Sequence, residues 1–220
     1  MDLSFVPVED ILTALRATFY MVSISLVIGT ILATILAMAL VLTNEDGLLE
    51  NKPIFYILNT CVNLVRSVPF IILMVFIFPM TKLIVGTRIG ATAALVPLIV
   101  FITPYMARLF ENSLLSVDKG IIEAAKSMGA SYFQIIWHFI LPEAKSSMIL
   151  AVTIGTISLI SATAQAGAIG AGGIGDMALT YGYERLNVPV MVLTVVILIA
   201  IVQTVQTLGN YFSKKSRVHS

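Results

Sequence analysis

The sequence predicts an all-α polytopic membrane protein with five transmembrane helices, on three observations. Of its 220 residues 58% are hydrophobic and only 11% charged, against about 25% charged in an average soluble domain. The charges are clustered, which leaves uncharged windows of the roughly 20 apolar residues a helix needs to cross the hydrocarbon. Inside those windows small residues recur every four positions, a spacing that lets membrane helices approach closely. One domain is the expectation at this length.

Residues 17–44 form the first window, with Gly29, Ala33 and Ala37 on one stripe. That stripe suits packing within the protomer better than lining a pathway. The second window, 54–81, is interrupted by Arg66. An arginine at mid-membrane costs about 2.5–3.5 kcal/mol and would mark function. The expectation adopted is that 54–65 run along the interface and the span starts near Arg66 and reaches Thr87. Arg66 and Lys82 then snorkel to opposite surfaces, and Pro69 falls in the first turn, where helices tolerate it.

The third window, 89–107, holds Pro97 and Pro104, each able to kink a helix. Arg108 and Glu111 follow at a spacing that pairs them on one face, a structural lock at the root of the next segment. The fourth window, 146–175, is the most polar, with Ser158, Ser161, Thr163 and Gln165 amid small residues. Such a helix belongs inside a bundle, against a partner helix or along a pathway; both readings stand. The fifth, 186–213, carries Gln203 and Gln206 and ends in Lys214, Lys215 and Arg217.

Between the third and fourth windows lies a charged interruption, Ser113 to Pro142. Ile121, Ala124, Ala125 and Met128 recur in it at helical spacing. Gly129 is placed to end or bend that helix, and Pro142 to stop the apolar run 133–141. The expectation is two short helices joined by a bend. They serve either as an amphipathic connector on the membrane surface or as a surface on which another protein docks.

Lysine and arginine counts set the orientation. The face of the central loop holds Lys52, Arg108, Lys119, Lys126, Lys145, Lys214, Lys215 and Arg217, eight against four (Arg16, Lys82, Arg88, Arg185) on the other. The C-terminus and central loop are therefore expected in the cytoplasm and the N-terminus outside. Asp2, Glu9 and Asp10 make the start acidic, unlike a signal peptide, so the first span is expected to remain in the mature protein. A net charge of +1 gives no sign of nucleic-acid binding. One cysteine (Cys61) and two histidines (His138, His219) leave no disulfide framework, no metal cluster and no catalytic constellation. Gly170, Gly172 and Gly175 match the G-x-G-x-x-G spacing, but no strand precedes them and no acid follows about 20 residues on. The nucleotide reading is discarded in favour of close backbone approach and an irregular turn at the outer surface.

Glu123-Ala124-Ala125, Gly129 four residues on, and Leu141-Pro142 resemble the coupling motif of ABC importer permeases; Phe139 stands where that family often has isoleucine. Asn63 to Phe70, with its Arg-x-x-Pro, and the run Gly167 to Asp176 followed by Tyr181-Gly182-Tyr183 are similar to the permease of methionine-uptake ABC transporters, a likeness extending from Val8 to Tyr211. The resemblance implies a type I ABC importer permease fold in the cytoplasmic membrane. The partners it implies are a second copy of this chain, two copies of a cytoplasmic ATPase that carries the ATP and Mg, and an external substrate-binding lipoprotein. No cofactor is implied on this chain. Residues 13–212 would be the transmembrane domain, with the coupling loop at 113–143, an external segment at 1–12 and a basic cytoplasmic tail at 213–220.

By the same resemblance, Glu123, Ala124, Ala125, Met128 and Gly129 couple to the ATPase. Glu123 would act as a cap or polar contact, the two alanines would give close approach, and Gly129 the bend. Ser158, Ser161, Thr163 and Gln165 are the pathway candidates. A stand-alone channel or secondary carrier would more typically show a charged intramembrane site or inverted repeats, and neither is evident.

Overall fold

The computed structural model describes residues 7–45 and 47–217; Asp2 and His219 lie outside them. It comprises α1 (Val8–Thr43), α2 (Lys52–Ser67), α3 (Phe70–Val85), α4 (Ala91–Leu115) and α5 (Lys119–Ser127). There follow α6 (Tyr132–Gly167), α7 (174–184) and α8 (Val188–Arg217). No strand occurs among the described residues. Among the described residues four helices (α1, α4, α6, α8) are long and apolar enough to cross a membrane, or five spans if the bent pair α2–α3 counts as one.

The bend between α2 and α3 is 110°. Its cause is local: the residue before proline is pushed out of the helical region, and Val68 is extended at φ −89°, ψ 125°, with Pro69 at the N-cap of α3 rather than inside its first turn. Arg66 accordingly lies in the last turn of α2 and is no part of α3. Ahead of α2, Asn51 accepts a bond from the Ile54 N–H. Lys52 reaches Glu45 at 2.9 Å, and that hydrogen bond holds its ammonium above the usual lysine range.

The core is built on close helix contacts. Ala33 and Ala37 of α1 are fully buried, and a side chain at Gly29 would strike Ile102 of α4. In α6, Gly155 faces Met106 of α4, and Gly209 of α8 faces Thr153. The small-residue stripes therefore pack within the protomer. Ser147 adds a 3.0 Å hydroxyl contact to Ser113 across α6 and α4. Both Pro97 and Pro104 are buried within α4, which stays one helix.

The expectation that Pro142 stops a second short helix is overturned. Tyr132 to Gly167 is one 36-residue helix, about 54 Å long. Proline lacks a donor and its ring crowds the carbonyl four residues back. Here the chain widens to a π-helical turn over Ile135–Ile140, where the Leu141 N–H bonds the Ile136 carbonyl five residues back. That wider turn leaves room for the ring, and α6 continues.

At its far end α6 closes at Gly167, and Gly170, Gly172 and Gly173 all adopt positive φ, a region that favours glycine. The run then doubles back. Side chains at Gly167 or Gly175 would collide with the backbone of Asp176 or Ala164 respectively. The Ile174 N–H donates to Thr18 of α1 at 2.9 Å, and the Gly90 N–H to the Gly170 carbonyl at 3.0 Å. These glycines serve backbone packing and a turn, as expected.

Candidate functional site

The charged segment between α4 and α6 is built around α5. Asp118 caps it, its Oδ1 accepting from the Gly120 N–H at 2.6 Å, so the capping role considered for Glu123 belongs to Asp118. At the other end Gly129 has φ +79°. Its N–H bonds the Lys126 carbonyl at 2.9 Å, and the Ala130 N–H bonds the Ala125 carbonyl at 3.1 Å. This paired closure is a Schellman motif, which needs a left-handed residue at the position Gly129 occupies. The chain then restarts with a capping box: the Ser131 Oγ accepts from Gln134 N–H while the Gln134 carboxamide accepts from Ser131 N–H. Gly129 makes the bend, and the bend joins α5 directly to α6.

The five coupling candidates do not share a face. Glu123, Ala124, Met128 and Gly129 are exposed, Met128 by 72%. Ala125 is fully buried and packs into the main core, with Ile122 beside it. Close approach of a partner to Ala125 is therefore ruled out by its position; it seats α5 from within. Exposed apolar surface continues past the bend through Tyr132, Phe133 and Trp137, the last two stacked at 6.0 Å between ring centroids. Beneath α5, between it and the end of α1, a groove of about 510 Å³ carries Glu45, Lys119, Glu123 and Lys126 among apolar residues.

At the root of this segment Arg108 pairs with Glu111 at 2.8 Å, and Glu111 is buried. The lock expected from the sequence is present and extends further. The same guanidinium donates to Asn59 Oδ1 at 2.6 Å and Asn63 Oδ1 at 2.9 Å on α2. It thereby ties α2 to the helix that leads into α5. The signal for this was the Asn59/Asn63 spacing of one helical turn, which composition alone does not distinguish from surface polarity.

The polar residues of α6 also divide. Ser161 and Gln165 are exposed and Ser158 half-buried, one turn apart on a single face. A shallow groove of about 390 Å³ joins Ser161 to Gln203 of α8. Thr163 is buried and its hydroxyl bonds the Ile160 carbonyl at 2.7 Å, so it points away from that face and leaves the pathway set. At the far end Tyr181 donates to Asp10 Oδ2 at 3.4 Å and lies under Arg185 at 4.5 Å.

The described residues form an all-helical bundle with the short helix α5 slung between two of its long helices, α4 and α6. The family model for the binding-protein-dependent transport system inner membrane component matches residues 25–218. The chain belongs to this family. As a member it is a multi-pass integral membrane protein, the permease subunit of an ABC importer rather than a catalytic one. It is 48% identical to the "Probable D-methionine transport system permease protein MetI" of Vibrio cholerae, over 91% of this chain and 89% of that one. To the "Methionine import system permease protein MetP" of Bacillus subtilis it is 42% identical over 78% and 77%. Among solved structures it superposes on a chain of the inward-facing MetNI methionine ABC transporter with a TM-score of 0.94 and 35% identity, covering 98% of this chain and 99% of that one.

Proposed function

We propose that this subunit imports methionine, in L- and D-forms, by alternating access. The observation that carries the reading is the end-to-end similarity to permeases named for methionine, at 48% identity in one case and a TM-score of 0.94 in another. The complex has two copies of this chain, two cytoplasmic ATPase subunits and an external binding lipoprotein. Five spans cross the membrane, with α2 lying along the interface and α3 crossing; the 110° bend favours that arrangement. The N-terminus is outside and the C-terminus cytoplasmic, as the eight-to-four distribution of basic residues suggests. The transmembrane domain is 13–212 with its coupling loop at 113–143, and 213–220 form a basic tail.

ATP binding closes the two ATPases, and the clefts on their surfaces move the loop. Glu123, Ala124 and Met128 are the contact residues, Gly129 holds the bend, and Ala125 anchors α5 to the bundle. Because α6 continues from that bend without a break, displacement of α5 is delivered to Ser158, Ser161 and Gln165. These, with Gln203, face the pathway at the junction with the second copy.

The test is co-purification followed by reconstitution with the ATPase and binding protein in vesicles, with uptake of labelled L- and D-methionine measured against other amino acids. ATP-dependent methionine uptake supports the reading. Uptake of a different amino acid or a peptide replaces the substrate and keeps the importer. A chain that purifies without an ATPase refutes the coupled mechanism.

A further inference from the structure

We propose that a small cavity between α3, the start of α4 and the glycine turn after α6 binds a single water molecule, which bridges the Thr81 hydroxyl to the Ala93 carbonyl. The cavity holds about 10 Å³, and Thr81, Arg88, Ala93, Pro97 and Ala171 are among the residues lining it. That volume suits one water and nothing larger. Thr81 is 1% exposed, and its Oγ1 has no hydrogen-bond partner among the described residues. A buried hydroxyl left unpaired is costly, and threonine in a helix has a ready remedy in the carbonyl four residues back. Thr34, Thr103, Thr153 and Thr156 all take it, at 2.8–2.9 Å. Thr81 does not, and lines the cavity instead.

The acceptor comes from a broken helix bond. Pro97 has no N–H to give the Ala93 carbonyl four residues back, and both residues line the cavity. At Pro142 the chain meets the same difficulty by widening to a π-helical turn. At Pro97 there is no such turn, and α4 keeps its α-helical course. Ordered water is one of the means by which membrane helices satisfy a carbonyl freed by proline. A water here donates one hydrogen to the Ala93 carbonyl and shares a second bond with Thr81. Arg88, which is exposed, also lines the cavity and brings donors to it. That makes a third partner, within the range of about two to four that holds a buried water.

The bridge fastens α3 to α4 at the proline without a direct side-chain bond. Next to it the Gly90 N–H donates to the Gly170 carbonyl at 3.0 Å, so the glycine turn is held at the same place.

The test is the melting temperature of the intact purified complex carrying Thr81→Val, which keeps the shape of threonine and removes its hydroxyl. A bridged hydroxyl gives a fall of about 2–4 °C, the shift that one hydrogen bond makes in a domain of this length. A hydroxyl that is merely buried gives no change or a rise, because an unpaired polar group has been removed; either result overturns the proposal. Pro97→Ala restores an N–H to the Ala93 carbonyl, so Thr81→Val should cost less in that background. An undiminished cost there places the partner of Thr81 elsewhere and refutes the bridge. A density map of the complex that resolves ordered water decides the matter without either variant. A solvent peak within hydrogen-bond distance of Thr81 Oγ1 and the Ala93 carbonyl is expected, and a map that shows other buried waters but none there rules the site out.

Discussion

Replacing Gly129 with alanine isolates the energy stored in the coupling bend. Gly129 sits at φ +79° and a Cβ built on it meets nothing within 4 Å. The substitution therefore adds no clash, only the left-handed backbone penalty of about 1–2 kcal/mol. A shift of that size changes a local equilibrium by a factor of roughly 5–30, against the two hydrogen bonds that close α5. The structure supplies its own control. Gly86, which ends α3, has φ +84° and equally empty surroundings, so Gly86→Ala carries the same penalty far from α5. Both variants would be reconstituted with the ATPase and binding protein, and ATP hydrolysis and uptake measured on the same vesicles. Both should lower thermal stability by similar amounts, but only Gly129→Ala should reduce substrate imported per ATP hydrolysed. If the two variants alter that ratio alike, or neither does, the bend does not transmit force and the reasoning fails.

Arg108→Leu strips the buried Glu111 of its partner and should cost about 3–5 kcal/mol, seen as a lower melting temperature in detergent; Glu111→Gln, which removes the charge too, should be milder. Ala125→Leu overpacks a site with no exposed surface, a cost of about 1–3 kcal/mol, whereas Ala124→Leu should leave the melt unchanged and weaken ATPase retention in pull-downs. Gln165→Ala should raise the KM for uptake more than Thr163→Ala, since the Thr163 hydroxyl is engaged with Ile160; an equal effect would return Thr163 to the pathway.

Much of this was legible in the sequence because apolar length and charge placement are one-dimensional signals. The long windows, the lock between Arg108 and Glu111, the stripe of Gly29, Ala33 and Ala37, and the bend at Gly129 all follow from local rules. What was not legible depends on three dimensions. Ala124 and Ala125 are identical neighbours, yet one faces out and the other is buried, a matter of 100° of rotation. Thr163 and Gln165 differ the same way. Pro142 was misread because the rule against proline in helices assumes a regular four-residue bond pattern, and Ile135–Ile140 departs from it. Asp118 as the cap of α5 was available from capping preference alone.

The wide turn at Ile135–Ile140 also sets an angle. It lies between Gly129 and the face of Ser158, Ser161 and Gln165, with no other irregularity in α6 before its end. Each residue added or removed there would rotate everything beyond it by about 100°, while leaving the loop and its contacts where they are. The six residues therefore act as a phase adjuster between two otherwise independent surfaces. A single-residue deletion in them would close the wide turn to the four-residue pattern, crowd the Pro142 ring and turn the polar face of α6 away from Gln203.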